Sequence, residues 1–256
     1  MRLVNRDLAL LKVLHFFKCM TIIQITTHLA WHKKLCQRRT RKLCQADYLR
    51  KVPVPTTKPG RSPSLFYLGE RGALLLGVQS NKPRLTLELT HQMKNTDLMI
   101  QIMGEFKNSD IKCEALSEHL IRSLNPEADS YPDGSFILRK RDKNALFVLE
   151  NCAGTEIIKS PSNNQDIEIK MINYTDMYRS GDIGFYEQYF GLEFNRFRLL
   201  YITNNIQRLN SISPIVAEHD KHGFIWLTSM PEILKGISAP IWHIPTTNQF
   251  NQSIVG

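Results

Sequence analysis

The stretch that most limits how this chain can fold is residues 130–156, SYPDGSFILRKRDKNALFVLENCAGTE. Its apolar residues fall into two blocks on either side of a charged segment from Arg139 to Asn144. Blocks of this length, rich in Phe, Ile, Leu and Val and bounded by turn residues, read as β-strands. An antiparallel hairpin about the charged segment returns the end of the second strand to the start of the first. Asp133 opens the first strand and Glu150 closes the second, so the fold is expected to make them neighbours. Two carboxylates about 4 Å apart repel by roughly 4 kcal/mol at an effective dielectric near 20. Such a pair calls for a proton or a cation between its members. Oxygen ligands of this kind select Mg²⁺ or Mn²⁺ over zinc.

Charge is distributed unevenly along the 256 residues. The first 78 hold 15 Lys and Arg against 3 Asp and Glu, while the remainder hold 18 against 21. All of the formal excess of +9 therefore belongs to the first segment. Asymmetry of this kind points to nucleic acid or another anionic surface as partner. The five cysteines (19, 36, 44, 113 and 152) are an odd number without a C-x-x-C pair. That argues against a disulfide framework and a zinc ribbon, and for a reducing compartment. Arg2, Arg6 and Asp7 interrupt the first apolar residues, unlike a signal peptide, and no apolar run approaches the ~20 residues of a membrane helix. A cytoplasmic protein without membrane insertion is expected.

In chain order, a first helix starts near Asn5 or Asp7, with Leu8, Leu11 and Leu14 on one face. Thr21 is an N-cap for a second helix over 22–30. The third helix, about 34–46, places Cys36, Thr40, Leu43 and Cys44 on one face. Lys34, Arg38 and Arg41 lie on the other, with Lys42 beside them. Two short strands, 52–55 and 65–68, flank a loop carrying Lys58 and Arg61. Three helices followed by such a hairpin predict a winged helix-turn-helix over residues 1–80. Its third helix would enter the major groove of double-stranded DNA, and Lys34, Arg38, Arg41, Lys42, Lys58 and Arg61 would contact the duplex.

After a linker near 79–84, a helix is expected over 86–106 and a strand over 111–116. A loop or short helix with Glu118 and His119 leads into the hairpin. Then come a helix over 165–179 with Lys170 and Tyr174 one turn apart, a strand at 196–203, a helix at 205–218 and a strand at 223–228. Residues 246–256, rich in Asn, Gln and Thr, read as a disordered tail. The fold class is therefore α+β: the N-terminal winged helix, then an α/β domain with a mixed sheet over 81–245. Lys159 or Lys170 could neutralise charge developing on a phosphodiester, and Tyr174 could act as a nucleophile or as a donor to phosphate.

Pro132-Asp133 followed by Glu150 resembles the PD-(D/E)xK pattern of restriction-endonuclease-like nucleases. The wider arrangement is similar to the replication-relaxation family, which includes MobC-type relaxases of mobilisable plasmids. Its "R-D-x-x-L-L" start is matched by Arg6-Asp7 through Leu10-Leu11, and its basic "RRxRxL" helix by Arg38-Arg39-Thr40-Arg41-Lys42-Leu43. Its "E-x-D-x-G-T-E" pattern is matched by Glu150 through Glu156, and "K-x-x-x-Y" by Lys170 with Tyr174. The resemblance implies Asp133, Glu150 and Glu156 as metal ligands, with Asp133, Glu150, Lys170 and Tyr174 as the catalytic set. It implies Mg²⁺ or Mn²⁺ as cofactor, a transfer-origin-like duplex as substrate, and mobilisation or relaxosome proteins as partners.

One position departs from the pattern. Two residues after Glu150, where the nucleases carry Lys and the family an acid, this chain has Cys152. A thiol is a poor Mg²⁺ ligand and cannot replace an ammonium. Two readings stay open. One is a DNA-nicking endonuclease in which Glu156, Glu118 or a later lysine fills the missing role. The other is a DNA-binding regulator, or a relaxosome or replication accessory protein, that keeps the fold without the chemistry.

Overall fold

A computed structural model describes residues 2–54, 62–80, 82–83, 87–126, 131–152, 167–180 and 183–255. The chain is a mixed α+β protein that divides into two compact units, residues 1–100 and 101–256.

The first unit contains α1 (Asn5–Phe17), β1 (Cys19–Thr21), α2 (Ile22–Leu29), α3 (Lys33–Gln45), β2 (Leu49–Pro53), β3 (Ser64–Leu68), α4 (Glu70–Leu76) and the start of α5 (Leu87–Phe106). The three strands form an antiparallel sheet in the order β1-β3-β2. Leu10, Leu11 and Leu14 of α1, Ile25 of α2, and Cys36 and Leu43 of α3 are fully buried, which fixes the three helices against one another. Thr21 starts α2 as its sequence suggests. Its hydroxyl accepts the Gln24 N–H (3.2 Å), and Gln24 Oε1 accepts the Thr21 N–H (2.8 Å), a reciprocal capping box. The β2–α4 junction is unusually close. A Cβ at Gly72 would lie 2.2 Å from the Tyr48 carbonyl oxygen, and one at Gly69 2.4 Å from that of Asp47.

The division at residue 100 falls inside α5, not at the linker near residue 80 expected from polarity and Pro83. The reason lies in packing. Leu89 and Met93 of α5 join Cys19, Val52, Leu65 and Tyr67 of the first unit, and Gln24 Nε2 donates to Asp97 Oδ1 (2.9 Å).

The second unit continues with β4 (Lys112–Ser117), α6 (Glu118–Leu124), β5 (Gly134–Lys140), β6 (Lys143–Asn151), α7 (Ile167–Ser180), α8 (Gly184–Phe190), β7 (Arg196–Thr203), α9 (Ile206–His219), β8 (Ile225–Ser229), α10 (Met230–Ile233), β9 (Trp242–Ile244), a 3₁₀ turn (Pro245–Thr247) and β10 (Gln249–Gln252). Its seven strands run in the order β10-β9-β8-β7-β6-β5-β4. The central β6-β7-β8 pairs are parallel and the flanking pairs antiparallel, so the sheet is mixed. Parallel neighbours need crossovers, which α7 and α9 supply. Their residues Met171, Ile212 and Val216 pack on Leu146, Val148, Leu199 and Ile225 of one sheet face.

The tail does not match the disordered segment expected from its composition. Residues 249–252 pair with β9 at the sheet edge, and the Ser253 hydroxyl donates to the Ser238 carbonyl (2.6 Å). Edge pairing uses backbone groups, so a polar strand with exposed side chains serves as well as an apolar one.

Candidate active site

The hairpin folds as its sequence dictates. β5 and β6 pair from Lys140↔Lys143 to Gly134↔Leu149, turning at Arg141 and Asp142. Arg141 takes the left-handed conformation (φ 57°) that so short a turn requires. The same register places Asp133 across from Glu150. The Asp133 N–H donates to the Leu149 carbonyl (3.0 Å), and the Asn151 N–H donates to Asp133 Oδ2 (2.7 Å). Strand alternation then turns Glu150 to the same face as Leu146 and Val148, the face covered by α7.

α7 brings two polar groups to that carboxylate. Lys170 and Tyr174 lie four residues apart and share a helix face. Lys170 Nζ donates to Glu150 Oε2 (3.1 Å), and the Tyr174 hydroxyl donates to Oε1. Glu150 and Tyr174 are only 3% and 4% exposed, whereas Asp133 and Lys170 are partly open to solvent.

Burial pushes the Glu150 carboxyl up to about 7. Lys170 opposes that rise, Asp133 adds to it by like-charge repulsion, and the Tyr174 and Lys170 hydrogen bonds hold it down. The Tyr174 phenol is raised well above its ordinary value, by burial first and by Glu150 second. A phenol held this way is a weak nucleophile, because the attacking form is the phenolate.

Two further residues belong to the cluster and were missed by the sequence reading. Ser135 lies two positions after Asp133 and so faces the same side; it is fully buried. Tyr186 of α8 faces Ser135; burial raises its hydroxyl, contact with Ser135 opposes the rise, and Glu150 adds to it. The period-two spacing from Asp133 could have flagged Ser135. Nothing local in GFYEQYF points Tyr186 at the site.

Cys152 is 2% exposed and packs in the core beneath α7, with its N–H donating to the Ile202 carbonyl (2.8 Å). The ammonium beside Glu150 is that of Lys170, on α7. Glu118 is paired with Arg122 (2.9 Å). Glu156 and Lys159 lie outside the described residues, as do Lys58 and Arg61. Among the described residues no group of three His, Cys, Asp or Glu side chains is gathered in a metal-binding arrangement. The donor set at the site is the pair Asp133 and Glu150. It suits a hard divalent cation, which commonly takes one or two carboxylates and completes its shell with water and phosphate.

In the first unit, Lys34, Arg38, Arg41 and Lys42 are all exposed on α3, opposite the buried Cys36, Thr40 and Leu43. Arg39 has a different role. Its guanidinium pairs bidentately with Asp7 of α1, which is fully buried and also accepts the Val4 N–H (2.8 Å). Burial alone would raise Asp7, but the guanidinium and the Val4 N–H outweigh it and hold the carboxyl below its ordinary value. The pair anchors α3 to α1 and leaves the other basic side chains of α3 facing out.

Compared with family models, curated proteins and solved structures, the chain matches none. No helix among the described residues is long and apolar enough to cross a membrane.

Proposed function

We propose that this chain is a DNA-nicking endonuclease, similar to plasmid-mobilisation relaxases, which recognises a transfer-origin-like duplex and cleaves one strand. In this reading the first unit is a winged helix whose α3 enters the major groove through Lys34, Arg38, Arg41 and Lys42. The second is a PD-(D/E)xK-type domain. The observation that carries the reading is the meeting of Asp133, Glu150 and Lys170 at one strand end, with Lys170 Nζ 3.1 Å from Glu150 Oε2. An acid pair with an ammonium beside it is the minimal equipment for hydrolysing a phosphodiester.

Mg²⁺ or Mn²⁺ would be held by Asp133 and Glu150, and when bound supplies Lewis-acid polarisation of a phosphodiester oxygen. The protein's own groups do the positioning. Lys170 favours the ionised form of Glu150 against burial and offers its charge to a phosphate entering along the open side of the cluster. Tyr174 fixes the Glu150 carboxylate by hydrogen bonding to its other oxygen. Its burial and raised phenol favour water as the attacking group and give Tyr174 a positioning role. Asn151 holds Asp133 through its backbone N–H.

The test is conversion of supercoiled, origin-bearing plasmid to open circles by purified protein with Mg²⁺ or Mn²⁺. Wild type is expected to nick, without a covalent protein–DNA adduct that survives denaturation, and Asp133→Ala is expected to leave background only. Equal background from both proteins would end the catalytic reading. The regulator reading, favoured by the occupation of both Glu150 oxygens by protein groups, would then stand.

A further inference from the structure

The second sheet face carries a groove separate from the carboxylate cluster. Ala145 and Phe147 alternate with Leu146 and Val148 on β6 and so point away from α7. Two cavities lie along this side. One, of about 450 Å³, is bordered by Ile111, Leu138, Ala145, Ile254 and the side chains of Lys140 and Lys143. The other, of about 270 Å³, is bordered by Phe147, Trp226, Arg198 and Ser253. Ala145, Arg196 and Ile254 border both, so the two are neighbouring compartments of one groove. Its centre is five residues of β6 from Glu150, about 17 Å along the strand, and on the opposite face.

The chemistry of the groove is cationic and aromatic. Arg196 and Arg198 alternate on β7 and point to the same side, with Lys140 and Lys143 at the hairpin end. Among the described residues Asp142 is the one acid on the border, and Lys140 also pairs with Asp110 (3.1 Å). The Arg198 guanidinium lies 5.3 Å from the centre of the Trp226 ring, and Trp226 Nε1 donates to the Gly223 carbonyl (3.1 Å), which fixes the indole. Phe147, against the same compartment, stacks on Phe136 with 4.9 Å between centroids. Burial and the neighbouring Arg196 both disfavour the charge on Arg198, so an anion placed here would relieve that cost.

The arrangement of the charge decides the ligand class. A fatty acid or detergent anion carries its charge at one end and suits a single apolar tunnel with a basic mouth. Here Arg196 sits where two compartments meet, one of mixed polar and aliphatic lining at the hairpin end and one walled by Phe147 and Trp226. That layout fits a ligand whose anionic group lies between two bulky parts. A nucleotide has this form, with a base to one side of the phosphate and a sugar or the next residue to the other. Phosphate on an arginine with a base against an aromatic wall is also how single strands are commonly held. We infer that the groove bounded by Arg196, Arg198, Phe147 and Trp226 binds a nucleoside phosphate, either as a free nucleotide or as one residue of a DNA single strand.

The inference stands on the groove alone and does not depend on the nicking reading. It is tested with the intact protein by equilibrium binding of thymidine 5′-monophosphate and of 5′-phosphorylated trithymidylate, with thymidine and decanoate as controls. At least one phosphorylated probe is expected to bind, with thymidine and decanoate at least about tenfold weaker. Trithymidylate tighter than the monophosphate by about tenfold assigns the groove to a strand, and equal affinities assign it to free nucleotide. Arg196→Glu is expected to weaken binding at least about tenfold. Arg196 is exposed on its strand, so this variant should fold, and its circular dichroism and Tm should match wild type. Lys143→Glu at the hairpin end provides a second, independent variant expected to weaken binding. Absence of binding by both phosphorylated probes, or wild-type affinity in both charge-reversal variants, overturns the inference, as does decanoate binding as tightly as the nucleotides.

Discussion

The α3 face and the Glu150 cluster are both built from charged residues, yet physically they are opposites. Lys34, Arg38, Arg41 and Lys42 are exposed and keep their charges in water. Glu150 is buried, and its ionisation depends on Lys170, Asp133 and Tyr174. A solvated face can change a charge at little cost to folding, so its contribution is to affinity and salt response. A desolvated cluster is pre-organised, so removing one member alters stability and chemistry together. Asp7–Arg39 shows the second kind of behaviour inside the first unit: one arginine of α3 is structural while its neighbours face solvent.

The contrast can be broken most decisively at Lys170. Lys170→Met is expected to lower the nicking rate about 10²–10³-fold, the usual scale for loss of one group that stabilises developing charge. DNA affinity should be unchanged in a mobility-shift titration. A parallel loss of affinity would mean that the cluster binds DNA rather than acting on it.

Next in size is Asp7→Asn. Leaving Arg39 without its buried partner should cost about 2–3 kcal/mol in urea unfolding at neutral pH. The carboxyl is held below its unperturbed 3.8, so its stabilisation is present above that value and is lost as pH falls through the lower folded value. The gap between variant and wild type should therefore close in strong acid. A constant gap would assign the loss to packing instead.

A smaller effect is expected on the exposed face. Arg38→Ala with Arg41→Ala should reduce the slope of log K against log salt by about 2, and leave thermal stability within about 0.5 kcal/mol. An unchanged slope would remove these side chains from the DNA interface.

A pH signature of Glu150 sharpens the contrast further, in protein kept free of divalent metal with EDTA. Its folded carboxyl titrates near 7 against an unperturbed 4.5, so the folded state holds a proton that the unfolded chain releases. Stability from this group is complete below 4.5, falls as pH rises towards 7, and is level above. Glu150→Gln cannot ionise, so the drop in Tm between pH 4 and pH 8 should be smaller in E150Q than in wild type. Fully expressed, the gap between 4.5 and about 7 corresponds to about 3 kcal/mol, or roughly 7–14 °C at about 2–4 °C per kcal/mol for a domain of this size. Identical pH profiles would show that Lys170 fully compensates the buried charge.

The central hairpin was legible because its information is local. Alternating apolar blocks and a charged turn set the register, and the register alone brings Asp133 and Glu150 together. Lys170 with Tyr174 was legible as a pair because four residues make one helical turn. That the pair reaches Glu150 was an expectation taken from a resemblance, since it depends on the β6–α7 crossover. Tyr186 was hidden for the same reason, lying on a short helix with no polar pattern. The polar tail misled because edge pairing leaves no hydrophobic trace. The boundary inside α5 was obscured by a more obvious break in polarity near Pro83.

The close packing at the β2–α4 junction has a consequence for ancestry. With the Tyr48 and Asp47 carbonyls so near, neither Gly69 nor Gly72 can gain even a methyl group without moving backbone. The basic residues exposed on α3 meet no such steric limit. A lineage that preserves this junction must preserve Gly-x-x-Gly at the start of its fourth helix. That spacing, directly after a short apolar strand, is the mark by which divergent descendants of this chain can be sought.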